Sequence, residues 1–132
     1  MNANDITNNS DLKNILEKVW NSAHGVEATQ DLKDDVVLEQ FYENTYTTYA
    51  VKTASGWQIE EGNAPKSATM RIFYVQDACE KLSQVKDFDE FCAVLQDVIT
   101  ERTMTFIPLR PPDMLIEVGF GEFAERVGLP GK

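Results

Sequence analysis

Residues 49–82, YAVKTASGWQIEEGNAPKSATMRIFYVQDACEKL, decide the fold of this chain. Apolar and polar side chains alternate in three segments of this stretch, which are separated by turn sequences at residues 55–56 and 62–65. From Val75 onward the apolar spacing changes to that of a helix, which continues through Leu82. The stretch therefore predicts three strands and a helix that follow one another without a gap.

The residues before this stretch extend the sheet. Residues 36–42 and 45–52 are rich in Val, Tyr, Phe and Thr, which are typical of strands. Glu43 and Asn44 between them suit a short hairpin turn. A four-stranded antiparallel meander is the simplest arrangement of these segments.

Helices are predicted on both sides of the strands. Apolar residues recur at helical spacing over residues 12–20, and Gly25 is a natural end for that helix. Residues 26–35 are polar and are predicted to be a connector. Asp87 is predicted to cap a later helix, whose apolar side extends over residues 88–99.

The C-terminal third of the chain predicts two short strands and a closing helix. Residues 103–107 and 114–118 have the composition of strands, and the prolines between them cannot occupy a paired central strand. Gly119 is predicted to end the second strand and to let the chain turn. A short helix should follow over residues 120–127.

Length and composition indicate one domain. A chain of 132 residues suits a single domain, which we assign to residues 10–132, and the polar residues 1–9 are expected to be frayed. The apolar runs are too short to span a bilayer. The start has neither a basic nor an apolar segment of a signal peptide, so we expect a cytoplasmic protein.

The charge of the chain argues against two classes of partner. The formal net charge is −10, from 12 basic and 22 acidic residues that do not separate into patches. Nucleic-acid binding is therefore not expected, nor is electrostatic docking onto an anionic membrane. The charge serves solubility, or it forms an acidic face for a basic protein partner.

No set of residues points to catalysis. His24 is the only histidine and is expected to have a surface or helix-end role, so a serine or cysteine mechanism would need a Lys or another base. Cys79 and Cys92 do not form a CxxC pair and are expected to be reduced core residues. Neither a zinc ligand set nor a phosphate-binding loop is present. We expect a protein that is not an enzyme and that uses no cofactor or metal.

Large apolar side chains are abundant after residue 70. Such residues form ordinary cores, but together they also suit an apolar ligand pocket. Methionine is adaptable enough to contact varied apolar shapes. A packed core and a ligand cavity therefore both remain open as interpretations of this group.

The quoted stretch resembles the centre of sterol carrier protein type-2 (SCP2) domains. The matching pieces are the strand at residues 49–53, the glycine turn, the strand that ends in Glu61-Gly62, and the strand and helix of residues 68–82. Residues 114–129, MLIEVGFGEFAERVGL, resemble the last strand, glycine and closing helix of that family. The chain departs from the family in residues 100–113, which appear as an insertion, and at Phe120, where an acidic residue often follows the glycine.

The resemblance implies an α/β (α+β) fold in which a single, mostly antiparallel sheet of five to six strands has helices packed on one face. It also implies non-enzymatic binding of a fatty acid, an acyl chain or a sterol-like lipid between the sheet and the helices. Periodicity and this architecture predict the lining residues Phe73, Phe91, Leu95, Ile99, Phe106, Met114, Ile116, Phe120 and Phe123. The alternative is an acidic interaction or accessory module that docks a basic partner or an associated enzyme.

Overall fold

A five-stranded sheet organises the protein. The computed structural model describes residues 6–65 and 68–129. The strands are β1 (Val37–Tyr42), β2 (Tyr46–Thr53), β3 (Gly56–Glu61), β4 (Met70–Tyr74) and β5 (Met104–Pro108), in the order β3-β2-β1-β4-β5. Three of the neighbouring pairs are antiparallel, and β1 and β4 are parallel. The sheet is therefore mostly antiparallel, as expected.

The predicted four-stranded meander is wrong in one connection. β4 does not lie beside β3 but pairs with the free edge of β1, so that Gln40 lies opposite Ile72. This arrangement places β1 at the centre of the sheet, where both of its edges are hydrogen-bonded. Apolar alternation determines which face a residue occupies, but it does not determine the neighbouring strand.

Six helices complete the described chain and pack on one face of the sheet. They are α1 (Asn9–Trp20), α2 (Ala23–Ala28), α3 (Gln76–Ser83), α4 (Phe88–Thr100), α5 (Pro112–Glu117) and α6 (Phe120–Val127). Asp87 caps α4, as predicted, because its carboxylate accepts a hydrogen bond from the Glu90 backbone N–H. The alternate strand residues Leu38, Gln40, Ala50, Ile72 and Tyr74 are buried beneath the helices.

Two predictions concern the N-terminal region: the end of the first helix at Gly25 and the frayed residues 1–9. Gly25 does not end the first helix, which stops at Trp20; it lies inside α2, within the segment 23–28 that overlaps the predicted connector. A Cβ atom at Gly25 would approach the Val19 carbonyl oxygen to 2.2 Å, so glycine permits the close approach of α2 to the end of α1. Of the segment 1–9, residues 1–5 lie outside the described chain, and Ile6 is buried in the core.

The predicted strand at residues 114–118 is also wrong, because these residues lie in α5 and its C-cap. Pro112 lies in the first turn of this helix, where the missing N–H of proline costs nothing and its fixed φ favours the helix. The predicted strand at 103–107 is confirmed by β5, which forms one edge of the sheet. The closing helix is confirmed by α6.

Candidate functional site: an apolar pocket under the last two helices

An apolar pocket of about 460 Å³ lies between the β4–β5 side of the sheet and the helices α5 and α6. The residues that line it share an apolar character, and no charged side chain is among them in the described part of the chain. They are Met70, Phe106, Pro108, Pro112, Leu115, Ile116, Phe120, Gly121, Phe123, Ala124 and Leu129. The volume lies within the range of about 300–1,000 Å³ that is typical of small-molecule sites.

The junction of α5 and α6 forms the roof of the pocket. Gly119 adopts a φ of 107°, and a Cβ atom there would approach the Asp31 carbonyl oxygen to 2.1 Å. Only glycine fits both constraints. The backbone N–H of Lys33 donates to the Val118 carbonyl at 3.0 Å, which holds the junction against the segment before β1.

An ion pair supports the same junction from α6. Arg126 donates to the two carboxylate oxygens of Asp31 at 2.6 Å and 3.2 Å. The guanidinium hydrogen bond lowers the pKa of Asp31 below its ordinary value, and the carboxylate raises the pKa of Arg126. This bidentate geometry fixes the direction of α6 relative to the body of the protein.

A second space, a groove of about 770 Å³, lies beside the pocket along β5. It shares Phe106, Pro108 and Leu129 with the pocket. Its remaining lining residues extend to the end of α4 and are Ile99, Arg102, Met104 and Thr105. The pocket and the groove therefore meet at the edge of the sheet.

Five of the nine predicted lining residues lie along these two spaces. Phe106, Ile116, Phe120 and Phe123 line the pocket, and Ile99 lines the groove. The ring of Phe123 lies 6.3 Å from those of both Phe106 and Phe120, measured between centroids. Contact with a ligand remains a prediction for each of these residues.

The other four predicted residues lie elsewhere. Phe91 and Leu95 are fully buried in the packed core, and Met114 is 44% exposed on α5. Phe73 lies on the opposite face of the sheet, where its ring stacks on Phe41 with centroids 5.3 Å apart. Helical and strand periodicity identified these residues as apolar, but it did not distinguish pocket, core and open sheet face.

Sequence reasoning missed seven of the residues that line the pocket. They are Met70, Pro108, Pro112, Leu115, Gly121, Ala124 and Leu129. The composition of residues 114–118 predicts a strand and the prolines before it predict a break, so the sequence pattern does not assign Leu115 and Pro112 to a pocket. Proline in the first turn of a short helix was the signal that could have identified them.

The space between α1 and the centre of the sheet is filled instead. The indole N–H of Trp20 donates to the Gln40 side-chain oxygen at 3.1 Å and to the Tyr74 hydroxyl at 3.0 Å. The Tyr74 hydroxyl in turn donates to Gln40 at 2.6 Å, and its burial raises its pKa well above the ordinary value. Phe91 packs edge-on against Trp20 with ring centroids 5.9 Å apart.

The two cysteines and the histidine, which are the residues considered for chemistry, are packed against other parts of the protein. Cys79 is buried, and desolvation raises the pKa of its thiol to about 12. Burial also raises the pKa of Cys92, which is partly exposed, and both thiols are free. His24 packs against the ring of Phe91, with centroids 5.5 Å apart. Within residues 6–65 and 68–129, no three His, Cys, Asp or Glu residues are grouped closely enough to hold a metal ion.

Comparison with solved structures defines the class of fold. The five-stranded sheet with helices on one face is an SCP2-like fold, as the resemblance implied. A structure described as the UbiJ-SCP2 ubiquinone synthesis protein is similar over 90% of this chain and 94% of its own length, with a TM-score of 0.52. Its sequence identity to this chain is 13%, so the likeness concerns the fold.

The sequence comparisons give no further assignment. No family model matches the chain, and no curated protein matches it. In the described part of the chain, no helix combines the length and the apolar character needed to cross a membrane.

Proposed function

We propose that the protein binds an apolar ligand, a fatty acid, an acyl chain or a sterol-like lipid, and that it does so without catalysing a reaction. The observation that carries this proposal is the pocket of about 460 Å³ whose described lining is apolar and lacks a charged side chain. The SCP2-like fold supports a lipid as the class of ligand.

Apolar burial would supply the affinity. Each methylene group that leaves water contributes about 0.8 kcal/mol, so a long chain can be bound without specific polar contacts. Part of this gain offsets the loss of ligand freedom, as in all such complexes. Selectivity would then depend on the length and shape of the apolar part of the ligand.

Helix α5 offers a route of entry. It has no buried residue, it packs chiefly against α6, and Ile116 is 58% exposed. Elements with few buried apolar contacts open at low free-energy cost. Displacement of α5 would expose the pocket while β5 and the core remain in place.

Native mass spectrometry of the gently purified protein, followed by solvent extraction, tests the proposal. We expect an added mass of one lipid molecule, or uptake of one fatty acid by the delipidated protein. A protein that neither carries a lipid nor takes one up from a panel of fatty acids would contradict the proposal.

Two neighbouring substitutions in α5 locate the binding site. Leu115→Asp places a charge on a residue that lines the pocket, and Met114→Asp places the same charge on an exposed neighbour that does not. We expect Leu115→Asp to abolish uptake, because an unpaired carboxylate in an apolar pocket is costly. Met114→Asp should bind as the parent does, and equal loss in both variants would exclude this pocket as the site.

A further inference from the structure

The pocket and the groove along β5 are adjacent spaces that share three lining residues, and the two together are named the channel. Both spaces are lined by Phe106, Pro108 and Leu129, so a chain could pass from one to the other without leaving apolar surroundings. The channel extends along β5 from the end of α4 to the roof formed by α5 and α6. From residue 102 to residue 108 the backbone covers roughly 20 Å, which is the scale of a long acyl chain.

Arg102 stands at the groove end of this channel. It is the one charged residue among the described residues that line either space. It follows Glu101, the C-cap of α4, and has a φ of 65°, and its backbone N–H donates to the Ile99 carbonyl at 3.1 Å. Its side chain is solvent-exposed, so the guanidinium is accessible to a ligand in the groove.

Arg102 differs from two other arginines of the structure. Arg71 pairs with Glu39, and Arg126 pairs with Asp31. Within residues 6–65 and 68–129, the side chain of Arg102 has neither an acidic partner nor a hydrogen-bond partner. In a chain with a net charge of −10, a cation that remains unpaired beside an apolar groove is available for an anion from outside.

We propose that Arg102 binds the oxyanion head, a carboxylate or a phosphate monoester, of a long-chain amphiphile whose tail lies along β5 and ends in the pocket. This inference rests on the proposed lipid binding, and it adds the polarity and the orientation of the ligand. Guanidinium binds both oxyanions with paired hydrogen bonds, so the two heads share one chemistry.

Binding of hexadecanoate, hexadecyl phosphate and hexadecanol, measured by displacement of a fluorescent fatty acid, tests the orientation. The parent protein should bind one or both anions about fivefold more tightly than the alcohol, which is the scale of a solvent-exposed ion pair. The preference should shrink as salt concentration rises. Of the two anions, the one bound more tightly identifies the head group.

Three variants assign the preference to Arg102. Arg102→Gln should lower anion binding to the level of the alcohol and leave alcohol binding unchanged, and Arg102→Lys should retain most of the preference. Lys86→Gln removes the same charge from an exposed residue that lines neither space and should change nothing. Equal melting temperatures would show that the variants are folded.

The outcomes separate the two proposals. If Arg102→Gln keeps the preference for the anion, or if the parent binds acid and alcohol equally, the role of Arg102 is wrong while lipid binding stands. If the parent binds none of the three probes, the proposed function fails and the inference fails with it.

Discussion

The centre of the sheet and its β5 edge are packed in different ways. Beneath α1, the side chains of Trp20, Tyr74 and Gln40 fill the space between helix and sheet and are hydrogen-bonded to one another. Beneath α5 and α6, Phe106 and Phe120 are only partly buried and border a pocket. One sheet thus supports a filled region, whose substitution should cost stability, and an open region, whose substitution should change binding.

The largest contrast should come from truncating one aromatic residue in each region. Trp20→Ala should lower the free energy of unfolding by about 3–5 kcal/mol, because the indole is buried and nothing replaces its contacts. Phe120→Ala should cost about 1–2 kcal/mol, because the residue is only partly buried and borders the pocket.

Urea unfolding of the two variants measures this difference. If Trp20→Ala does not fold, Trp20→Phe serves in its place and should still cost more than Phe120→Ala. Equal losses for the two residues would remove the distinction between a filled and an open region.

The roof of the pocket can be broken at Gly119. Gly119→Ala should destabilise the protein by about 2 kcal/mol or more, because it combines a positive φ with a backbone clash against Asp31. Gly62→Ala is the matched control, since Gly62 has a φ of 97° but no atom within 4 Å of the added Cβ. Gly62→Ala should lower the free energy of unfolding by about 1 kcal/mol.

Thermal unfolding of both glycine variants isolates the packing of the α5–α6 junction from backbone strain. The excess loss in Gly119→Ala is the contribution of its close contact with Asp31. A loss no greater than that of Gly62→Ala would mean that the roof is not held at this point.

A smaller effect is expected from the ion pair that supports α6. Arg126 lowers the pKa of Asp31 in the folded protein. The pair therefore stabilises the protein at pH values above 3.8, the ordinary pKa of this carboxyl group, and this stabilisation is lost as the pH falls through the lowered pKa. Asp31→Asn should therefore be slightly less stable than the parent at pH 7, and the difference should shrink as the pH falls below 3.8. Melting temperatures measured from pH 7 downward test the sign, and a difference that stays constant with pH would contradict it.

The two free thiols differ in burial, and their reactivity tests the packing of the core. Cys79 should not react with a thiol reagent in the native protein, because it is buried and its pKa is raised to about 12. Cys92 is partly exposed and should react slowly. Timed labelling followed by mass spectrometry identifies the modified residue, and rapid native labelling of Cys79 would show that the filled region opens.

Much of the fold could be predicted because apolar spacing determines strands and helices locally. The hairpin at Glu43-Asn44, the helix capped by Asp87 and the helix at residues 120–127 are all confirmed. The parallel pairing of β4 with β1 could not be predicted, because spacing determines a face and not a neighbour. The aliphatic residues of α5 were misassigned because their composition also suits a strand.

The site could be predicted only in part, for a related reason. Phe91 and Phe123 have the same apolar helical context in the sequence, yet the first is packed in the core and the second lines the pocket. The difference arises from what lies across from each side chain: Trp20 faces Phe91, whereas the ring of Phe123 lies near Phe106 at the edge of the sheet. Trp20 and Phe106 are distant in sequence from the helices they face, so the apolar spacing within each helix does not reveal them.

The most direct test of the account is fatty-acid binding by two variants of Gly121, measured by titration calorimetry. This residue lines the pocket, and a Cβ added there meets no atom within 4 Å, so both an alanine and a phenylalanine can be introduced without a clash at the backbone. Gly121→Ala should bind one equivalent of hexadecanoate as the parent does, and Gly121→Phe should remain folded but lose binding because its ring fills the pocket. Undiminished binding by a folded Gly121→Phe would contradict the assignment of the pocket as the lipid site.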